Sequence, residues 1–503
     1  MRGLPPSLDL ARTAGLVVVG VALILGAAAL PAPIDLAPRS DAETATRAVA
    51  DPVGVTTLVC PGPESLGVEG LKDSSAQTVS VLASGAPAAA LPPALAAGRS
   101  RGSLTISGLP QGGGFAAPAT VRGQAVLAKI STARSALISG SGVLAPGTVA
   151  TQWSSTRAGI RRGLVTSACA PAAASTWLLA GGAEPGRLEH LVLANPGANP
   201  VTVDARVLGS AGPIPTPNGL GVVVPGRGRT VILLDAIAGS DPSPVVHVTA
   251  RGGRVAAVLS DSWLDGVVPR GGDEGVPASS PAREQVVAGV SIDGRASLRV
   301  AVPGSSEAVV QSRVLTTSGP RPLPTGGVTR IAAGATRDID LGALPPGAYA
   351  VQVRADVPVV AAVLVERRRA ARAPSDLAWS VASSPLRGLG GMVLPASSVR
   401  GVTQRLDLAA TGGPASVRVT VVGATGGITT KMTAVAADSV STELLNGASV
   451  KDPTSVWVTP VAGTIRAAVL TTVADAEGPM LSVTPLTEVT LTATSVPLRQ
   501  LGD

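Results

Sequence analysis

The chain has 503 residues, of which 45% are hydrophobic and 15% are charged. It is therefore too long for one hydrophobic core and too apolar for a disordered chain. The formal net charge of +7 comes mainly from arginines. They are scattered and lack interleaved aromatic residues, which argues against nucleic-acid binding. The chain contains 60 Gly and 43 Pro but only five Trp, one Tyr and one Phe. This composition favours an all-β protein with frequent turns and cores of Val, Leu, Ile and Ala.

The N-terminus carries the strongest local signal. Residues 13–34 contain no charge, and Gly15–Leu30 is almost wholly apolar, close to the length that crosses a bilayer. Arg2 and Arg12 precede this run, so the positive-inside rule places residues 1–12 in the cytoplasm and the bulk of the chain outside. The sequence therefore predicts a single-pass membrane protein with a transmembrane signal-anchor.

A cleaved signal peptide is the alternative. The small residues Ala27–Ala29 resemble those that precede a cleavage site, and cleavage there would give a secreted protein. Residues 35–50 are polar and proline-containing, and they are interpreted as a tether. Both interpretations place the remaining chain outside the cytoplasm.

Cys60 and Cys169 are the only cysteines. In an oxidising compartment they are expected to form one disulfide, and two buried free thiols are the alternative. Neither has a neighbouring His or Cys, so no metal site is predicted.

An internal repeat organises the rest of the chain. Three short blocks recur at offsets of 107 and 108 residues or close to them. The first block is Leu191–Gly197, Leu298–Gly304 and Leu406–Gly412; the second is Arg206–Leu208, Arg313–Leu315 and Thr420–Val422; the third is Val255–Leu259, Val360–Leu364 and Arg466–Leu470. Such a period exceeds that of solenoid repeats and matches a small independent sandwich.

The pattern within each repeat indicates antiparallel strands. Apolar and polar residues alternate along Val201–Val207, as in a strand with one face on a core. Helical patterns are scarce, so tandem immunoglobulin-like β-sandwiches are predicted, arranged as an anchored rod, with a β-propeller as the alternative. The predicted domains are a divergent β-domain at 51–183 and sandwich repeats at 184–290, 291–397 and 398–503.

Several motifs resemble those of a known family. They are the stretch from Cys169 through Trp177 to Gly181-Gly182, the segment Leu191–Gly197, and the turn Val224-Pro225-Gly226. Over roughly residues 50–490 the chain resembles a family of uncharacterised actinobacterial exported proteins that carry an N-terminal membrane segment. The resemblance implies a location and an architecture, and it assigns no catalytic residue.

Few residues suggest chemistry. The only histidines are His190 and His247, and both lie in strand patterns, which indicates surface or edge positions. The P-loop and HExxH motifs are absent from the sequence. The sequence therefore predicts no enzyme activity, no catalytic residue, no metal and no cofactor.

One segment could bind a ligand. Asp261, Asp265, Asp273 and Glu274 surround Trp263, whose ring could stack on a sugar. The alternative is a solvated turn at Gly271–Gly275. Two functions follow as hypotheses: a membrane-anchored, non-enzymatic envelope scaffold or interaction module, or a protein that binds or processes cell-wall glycan. The expected partners are the membrane, cell-wall polysaccharide and envelope proteins.

Overall fold

The computed structural model describes residues 50–63, 78–98, 101–110, 112–324, 326–368, 370, 372–395, 400–446, 450 and 452–494. The predicted signal-anchor at 13–34 and most of the tether lie outside these residues. Among the helices of the described part, none is long and apolar enough to span a membrane. The chain divides into two compact units, one of residues 1–51 with 494–503 and the other of residues 52–493. The second unit contains the sheets described next.

Sandwich 1 contains two four-stranded sheets. The first described strand, β1 (Ala50–Pro52), lies outside these sheets. The strands of sandwich 1 are β2 (Val55–Cys60), β3 (Val79–Ser84), β4 (Ser103–Leu109), β5 (Gly112–Gly114), β6 (Val126–Ile130), β7 (Ser135–Ser141), β8 (Val149–Thr156) and β9 (Gly163–Ala168). The sheet orders are β2-β7-β4-β5 and β6-β3-β8-β9. Short helical turns lie at Ala88–Ala90, Pro93–Ala96 and Gly142–Leu144. Val81, Ile106 and Ile138 fill the core between the sheets.

Sandwich 2 repeats this topology. Its strands are β10 (Ser175–Leu179), β11 (Arg187–Asn195), β12 (Val201–Gly209), β13 (Gly212–Ile214), β14 (Val222–Val224), β15 (Gly228–Leu233), β16 (Val245–Arg251), β17 (Ala256–Asp265) and β18 (Val268–Gly275). The sheet orders are β10-β16-β12-β13, with β14 also on β12, and β15-β11-β17-β18. Helical turns occupy Pro217–Gly219 and Asp235–Ala238.

Sandwich 3 differs in one strand that crosses between its sheets. Its strands are β19 (Ala282–Ile292), β20 (Arg295–Ala301), β21 (Ala308–Thr316), β22 (Gly319–Pro322), β23 (Val328–Ile331), β24 (Thr336–Asp340), β25 (Gly347–Arg368) and β26 (Ser375–Val381). The first half of β25 pairs with β19 and β21, and its second half pairs with β20 and β26. The two halves therefore correspond to β16 and β17 of sandwich 2.

Sandwich 4 has the same order again. Its strands are β27 (Gly390–Val393), β28 (Val402–Ala410), β29 (Ala415–Gly423), β30 (Ile428–Val435), β31 (Ser439–Leu444), β32 (Pro453–Ala462), β33 (Ile465–Val473) and β34 (Met480–Pro485), and β35 (Thr492–Thr494) follows them. The sheet orders are β27-β32-β29-β30 and β31-β28-β33-β34, while β1 and β35 form a two-stranded sheet.

The predicted repeat coincides with this topology. Leu191, Leu298 and Leu406 lie on β11, β20 and β28, and each is fully buried in the core of its own sandwich. The predicted boundaries at 184, 291 and 398 lie too late in the chain. The first strands of sandwiches 2, 3 and 4 are β10, β19 and β27, and each begins before the corresponding boundary. The sheets pack in pairs around separate cores, so the described residues form neither a propeller nor a closed barrel.

The four sandwiches do not form the predicted rod. Their last strands contact one another in a cycle: β9 contacts β18, β18 contacts β26, β26 contacts β34, and β34 contacts β9. Sandwich 1 also shares an apolar cluster with sandwich 4, in which Leu82 and Val149 pack with Val393 and the fully buried Trp457. The unit of residues 52–493 is therefore a closed ring of four sandwiches. The sequence pattern shows each repeat but not this contact between the first and the last.

Candidate functional site

Polar side chains meet where the four last strands converge. We call this cluster the central polar core, and its members are Thr166, Ser167, Asp273, Glu274, Asp376, Ser482 and Thr484. All seven are buried, with 7% exposure at most. The strands β9, β18, β26 and β34 supply them, so every sandwich contributes. Buried polar groups require hydrogen-bond partners, and here the partners come from neighbouring sandwiches.

Asp376 joins three sandwiches. Its Oδ2 accepts hydrogen bonds from the backbone N–H of Leu164 (3.1 Å) in sandwich 1 and of Leu481 (3.0 Å) in sandwich 4. Its Oδ1 accepts from the N–H of Leu377 (3.0 Å) in its own strand. Complete burial raises the pKa of Asp376 to about 8, while the three N–H donors oppose this shift.

Glycine allows the strands to approach Asp376. Gly271 on β18 has a φ of 102°, and a Cβ at this position would lie 2.2 Å from Asp376 Oδ1. Only a residue without a side chain therefore fits between sandwiches 2 and 3 at this point. The Gly271-Gly272 pair, interpreted from sequence as part of a solvated turn, lies instead inside a buried strand.

Asp273 binds sandwiches 3 and 4. It accepts a hydrogen bond from the backbone N–H of Trp379 (2.7 Å) and one from Ser482 Oγ (3.0 Å). Ser482 in turn accepts from the N–H of Thr166 (3.0 Å) in sandwich 1. Burial is the largest influence on Asp273 and raises its pKa well above the ordinary value.

Glu274 binds sandwich 1. It accepts a hydrogen bond from Gln152 Nε2 (2.8 Å) and another from the hydroxyl of Ser167. The same Gln152 amide donates to the backbone oxygen of Gly62 (3.1 Å). Adjacent residues Asp273 and Glu274 thus point to different sandwiches, as expected for successive residues of a strand.

A buried ion pair within sandwich 2 lies beside this core and is hydrogen-bonded to sandwich 3. Arg187 on β11 makes a bidentate contact with Asp261 on β17, with distances of 2.9 and 2.6 Å. Asp261 also accepts from Trp379 Nε1 (2.7 Å). Burial disfavours the charged form of Asp261, but Arg187 and these hydrogen bonds outweigh it and lower the pKa. Trp379, from sandwich 3, packs within the core of sandwich 2.

Trp263 borders a groove between sandwiches 2 and 3. This Trp263 groove has a volume of ≈ 330 Å³, and Trp263, Glu184, Arg295, Asp338 and Asp340 are among its lining residues. The Trp263 Nε1 donates to the backbone oxygen of Pro185 (3.2 Å). Arg187 and Arg270 each lie within 5.8–5.9 Å of its ring centroid, a cation–π distance.

The five residues of the predicted ligand loop do not form a loop. Asp261, Trp263 and Asp265 lie on β17, whereas Asp273 and Glu274 lie on β18. Asp261, Asp273 and Glu274 are buried between sandwiches, and Asp265 is half exposed and paired with Arg270 at 2.6 Å. Of these five residues, only Trp263 and Asp265 remain near solvent, because neighbouring sandwiches cover the other three.

Both histidines lie inside strands, but only one resembles the prediction. His247 is partly exposed, stacks on Trp177 with ring centroids 4.0 Å apart, and shares a hydrogen bond with Ser175 Oγ (2.9 Å). His190 is fully buried, so its predicted surface position is wrong. Burial, with smaller contributions from Arg161 and Arg229, lowers the pKa of His190 to about 4.

The cysteines form the predicted disulfide. Cys60 on β2 and Cys169, which follows β9, have Cα atoms 4.4 Å apart and are separated by 109 residues in sequence. The bond joins the first and last strands of sandwich 1. Within the described ranges, no group of three His, Cys, Asp or Glu residues is arranged to hold a metal ion.

Sequence reasoning missed several residues of this region. Gln152, Arg162, Asp376 and Ser482 come from three different repeats, and no local motif marks them. Arg162 has a fully buried side chain, and it donates to the backbone oxygen of Ser375 (3.1 Å) and to that of Gly478. The one available signal was the presence of polar residues in the last strand of each repeat.

Fold and site together define an all-β protein built from four sandwiches around a shared polar core. Its residues 121–445 match a family of unknown function, DUF5719. The chain therefore belongs to this family, and the predicted membership in a family of unknown function is confirmed. No curated protein matches the chain.

Two solved structures show weak likeness. One is Thermotoga maritima 1070, with 16% identity and a TM-score of 0.18, covering 21% of this chain and 95% of the other. The second is the tetra-tandem repeat in the extending region of a large adhesion protein, with 14% identity, a TM-score of 0.10, and coverage of 85% and 97%. At these TM-scores neither likeness carries an argument about fold or function.

Proposed function

We propose that the protein is a non-enzymatic cell-envelope protein, held in the membrane by residues 13–34, whose ring of sandwiches serves as a rigid extracytoplasmic scaffold or interaction module. One observation carries the structural role. The buried carboxylates of Asp261, Asp273 and Asp376 each accept a hydrogen bond from a neighbouring sandwich. Groups used in this way hold the sandwiches in place, and the ring gives partners a rigid platform.

The disulfide supports the proposed compartment. Disulfides persist in oxidising environments and are rare in the cytosol. The Cys60–Cys169 bond agrees with a chain whose bulk lies outside the cytoplasm. We also infer that the sandwiches are immunoglobulin-like repeats of one ancestral unit, supported by their common strand order. Many immunoglobulin-like domains share the sandwich architecture without the same topology.

Membrane fractionation with intact-mass determination tests the location. We expect the native protein in the membrane fraction, with its N-terminus intact, with Cys60 and Cys169 resistant to alkylation, and with the ring cleavable by protease added outside. The Cys60→Ser/Cys169→Ser variant is the control for alkylation. A soluble protein with two reactive thiols would contradict the proposed compartment.

A glycan-binding function is the second candidate, and the Trp263 groove favours it. Its volume of ≈ 330 Å³ lies at the lower end of the range for ligand sites, roughly 300–1,000 Å³. The groove combines an indole ring with carboxylates and Arg295, which can hydrogen-bond to sugar hydroxyls. Solvent reaches both Asp338 and Arg295, with side-chain exposures of 34% and 70%.

Binding of the full-length protein to purified cell-wall polysaccharide separates the two candidates. Glycan binding predicts retention that Trp263→Ala abolishes and Trp263→Phe largely keeps, because Phe retains an aromatic face. Trp177→Phe, a change at a residue that does not line the groove, is the matched control. Retention unaffected by Trp263→Ala would remove the groove from consideration, and absence of retention would leave the scaffold function alone.

A further inference from the structure

A second cavity lies on sandwich 3, away from the central polar core. It has a volume of ≈ 430 Å³ and is formed by residues of β21, β22, β23 and β25. Its polar lining consists of Gln311, Ser312, Arg313, Arg321, Gln352 and Arg354. No Asp or Glu is present among the described residues that line it. The lining is thus cationic, whereas the Trp263 groove has both signs of charge.

Strand pairing explains why these side chains meet. Across the β21–β25 pair, Gln311 lies opposite Arg354 and Arg313 lies opposite Gln352. Opposite residues of antiparallel strands share a face, and so do residues two apart along a strand. The two arginines and two glutamines therefore form a cross-strand grid on one face. On the other side of β21, β22 and β23 pair with its two halves, which leaves only Ser312 between them.

Acids outside the lining hold two of the arginines. Arg313 Nη2 lies 2.9 Å from Asp438, and Arg354 Nε lies 3.2 Å from Glu284. These contacts position the guanidinium groups and offset part of their charge. Arg321 is exposed and makes no hydrogen bond or ion pair with any described residue. Within the described part of the chain the Arg321 guanidinium therefore has no competing partner and can pair with a ligand.

One buried polar atom at this cavity lacks a partner. Gln352 is 1% exposed, and its Oε1 accepts from Arg313 Nε (2.5 Å). Its Nε2 has no hydrogen-bond partner among the described residues. A buried donor without a partner costs about 1–3 kcal/mol, so such groups call for an explanation. A ligand oxygen would supply the missing acceptor.

We propose that this cavity binds an oxyanion group, a phosphate or a carboxylate, carried on a larger polar ligand. Guanidinium groups bind both anions through paired N–H donors. Arg321 supplies the uncompensated charge, Arg313 and Arg354 supply oriented donors, and Gln352 Nε2 supplies a further donor. The cavity volume falls in the range of small-molecule sites, roughly 300–1,000 Å³, which exceeds the needs of a lone anion. This site does not depend on the proposed location or scaffold role.

Calorimetric titration of the full-length protein at low ionic strength tests the proposal. The probes are inorganic phosphate and glucuronate, and the one that binds identifies the source of the oxyanion. We expect saturable binding of at least one probe, weakened by added salt. Arg321→Gln and Gln352→Glu should each weaken it about tenfold or more, the former by removing a charge-assisted hydrogen bond and the latter by placing a carboxylate in the cavity.

Arg330→Gln is the matched control. Arg330 lies on the same sandwich but pairs with Glu307 at 3.1 Å, and it does not line the cavity. Its substitution should leave the affinity unchanged. Arg321 and Arg330 are both exposed, so neither change should disturb folding. Failure of both probes to saturate, or equal weakening by Arg321→Gln and Arg330→Gln, would overturn the proposal.

Discussion

The Arg187–Asp261 ion pair, buried within sandwich 2 and hydrogen-bonded to Trp379 of sandwich 3, gives a quantitative test of whether the sandwiches unfold together. Both side chains are almost inaccessible, with 2% and 0% exposure. Removal of one partner from a buried pair costs about 3–5 kcal/mol, because the remaining charge is left in a medium of low polarity. For Asp261→Asn we expect a cost near 3 kcal/mol. This value is the lower end of the range, because Glu184 and Glu189, 2.6 and 3.4 Å from Arg187, still compensate part of the Arg187 charge.

The expected change in melting temperature depends on cooperativity. Unfolding entropy is about 2.1 cal/mol/K per residue, so the unit from Pro52 to Ala493 has roughly 0.9 kcal/mol/K if it unfolds as one. A cost of about 3 kcal/mol then lowers the midpoint by about 3 °C. If sandwich 2 unfolded alone, with about 100 residues, the same cost would lower its midpoint by about 14 °C.

Differential scanning calorimetry distinguishes these outcomes. The account predicts one transition that shifts by about 3 °C in Asp261→Asn. Glu307→Gln, which breaks the exposed pair with Arg330, should leave the midpoint unchanged within error. An unchanged midpoint in Asp261→Asn would refute the burial of the pair. A separate early transition would refute the cooperative ring.

Three further predictions concern stability. Cys60→Ala/Cys169→Ala should destabilise sandwich 1 by about 4–5 kcal/mol, since the bond closes a loop of 109 residues; chemical denaturation would measure this, and an unchanged midpoint would contradict it. Burial raises the pKa of Asp376 from 3.8 to about 8, so its contribution to stability is complete below pH 4 and is lost as pH rises to 8. Asp376→Asn should flatten melting temperature against pH over this window, and a flat wild-type profile would mean that the three N–H donors keep the carboxylate ionised. Trp457→Ala should cost about 3–5 kcal/mol and speed hydrogen exchange in β8 and β27; unchanged exchange there would contradict the packing of sandwich 1 on sandwich 4.

The sequence predicted the sandwiches better than their assembly. The recurrence of Leu191, Leu298 and Leu406 marks equivalent core strands, because each repeat buries its own apolar face. The repeat pattern did not locate β10, β19 and β27, because their residues lie outside the three matched blocks. The predicted boundaries therefore assign all or most of each of these strands to the preceding domain. The disulfide followed from the presence of only two cysteines in a chain predicted to be exported.

The ring and the central polar core could not be predicted in the same way. Asp273 and Glu274 look like turn residues beside Gly271, since a local pattern does not show that other sandwiches cover them. Thr166 and Ser482 come from the first and last sandwiches and meet only when the ring closes. His190 is buried for the same reason: sandwich 1 packs on the outer face of its sheet, where Val59 contacts Ala194. Sequence periodicity records burial inside a repeat and not burial between repeats.

The most direct test of the closed ring is an engineered disulfide between its first and last sandwiches. Thr166 Oγ1 and Ser482 Oγ lie 3.0 Å apart across the contact between β9 and β34, although 316 residues separate them in sequence. The full-length Thr166→Cys/Ser482→Cys variant, oxidised and digested without reduction, should yield one peptide pair linking these positions in addition to the Cys60–Cys169 pair. Each single variant should keep one free thiol. If the double variant kept two free thiols while the native disulfide formed, sandwiches 1 and 4 would not meet and the ring would be wrong.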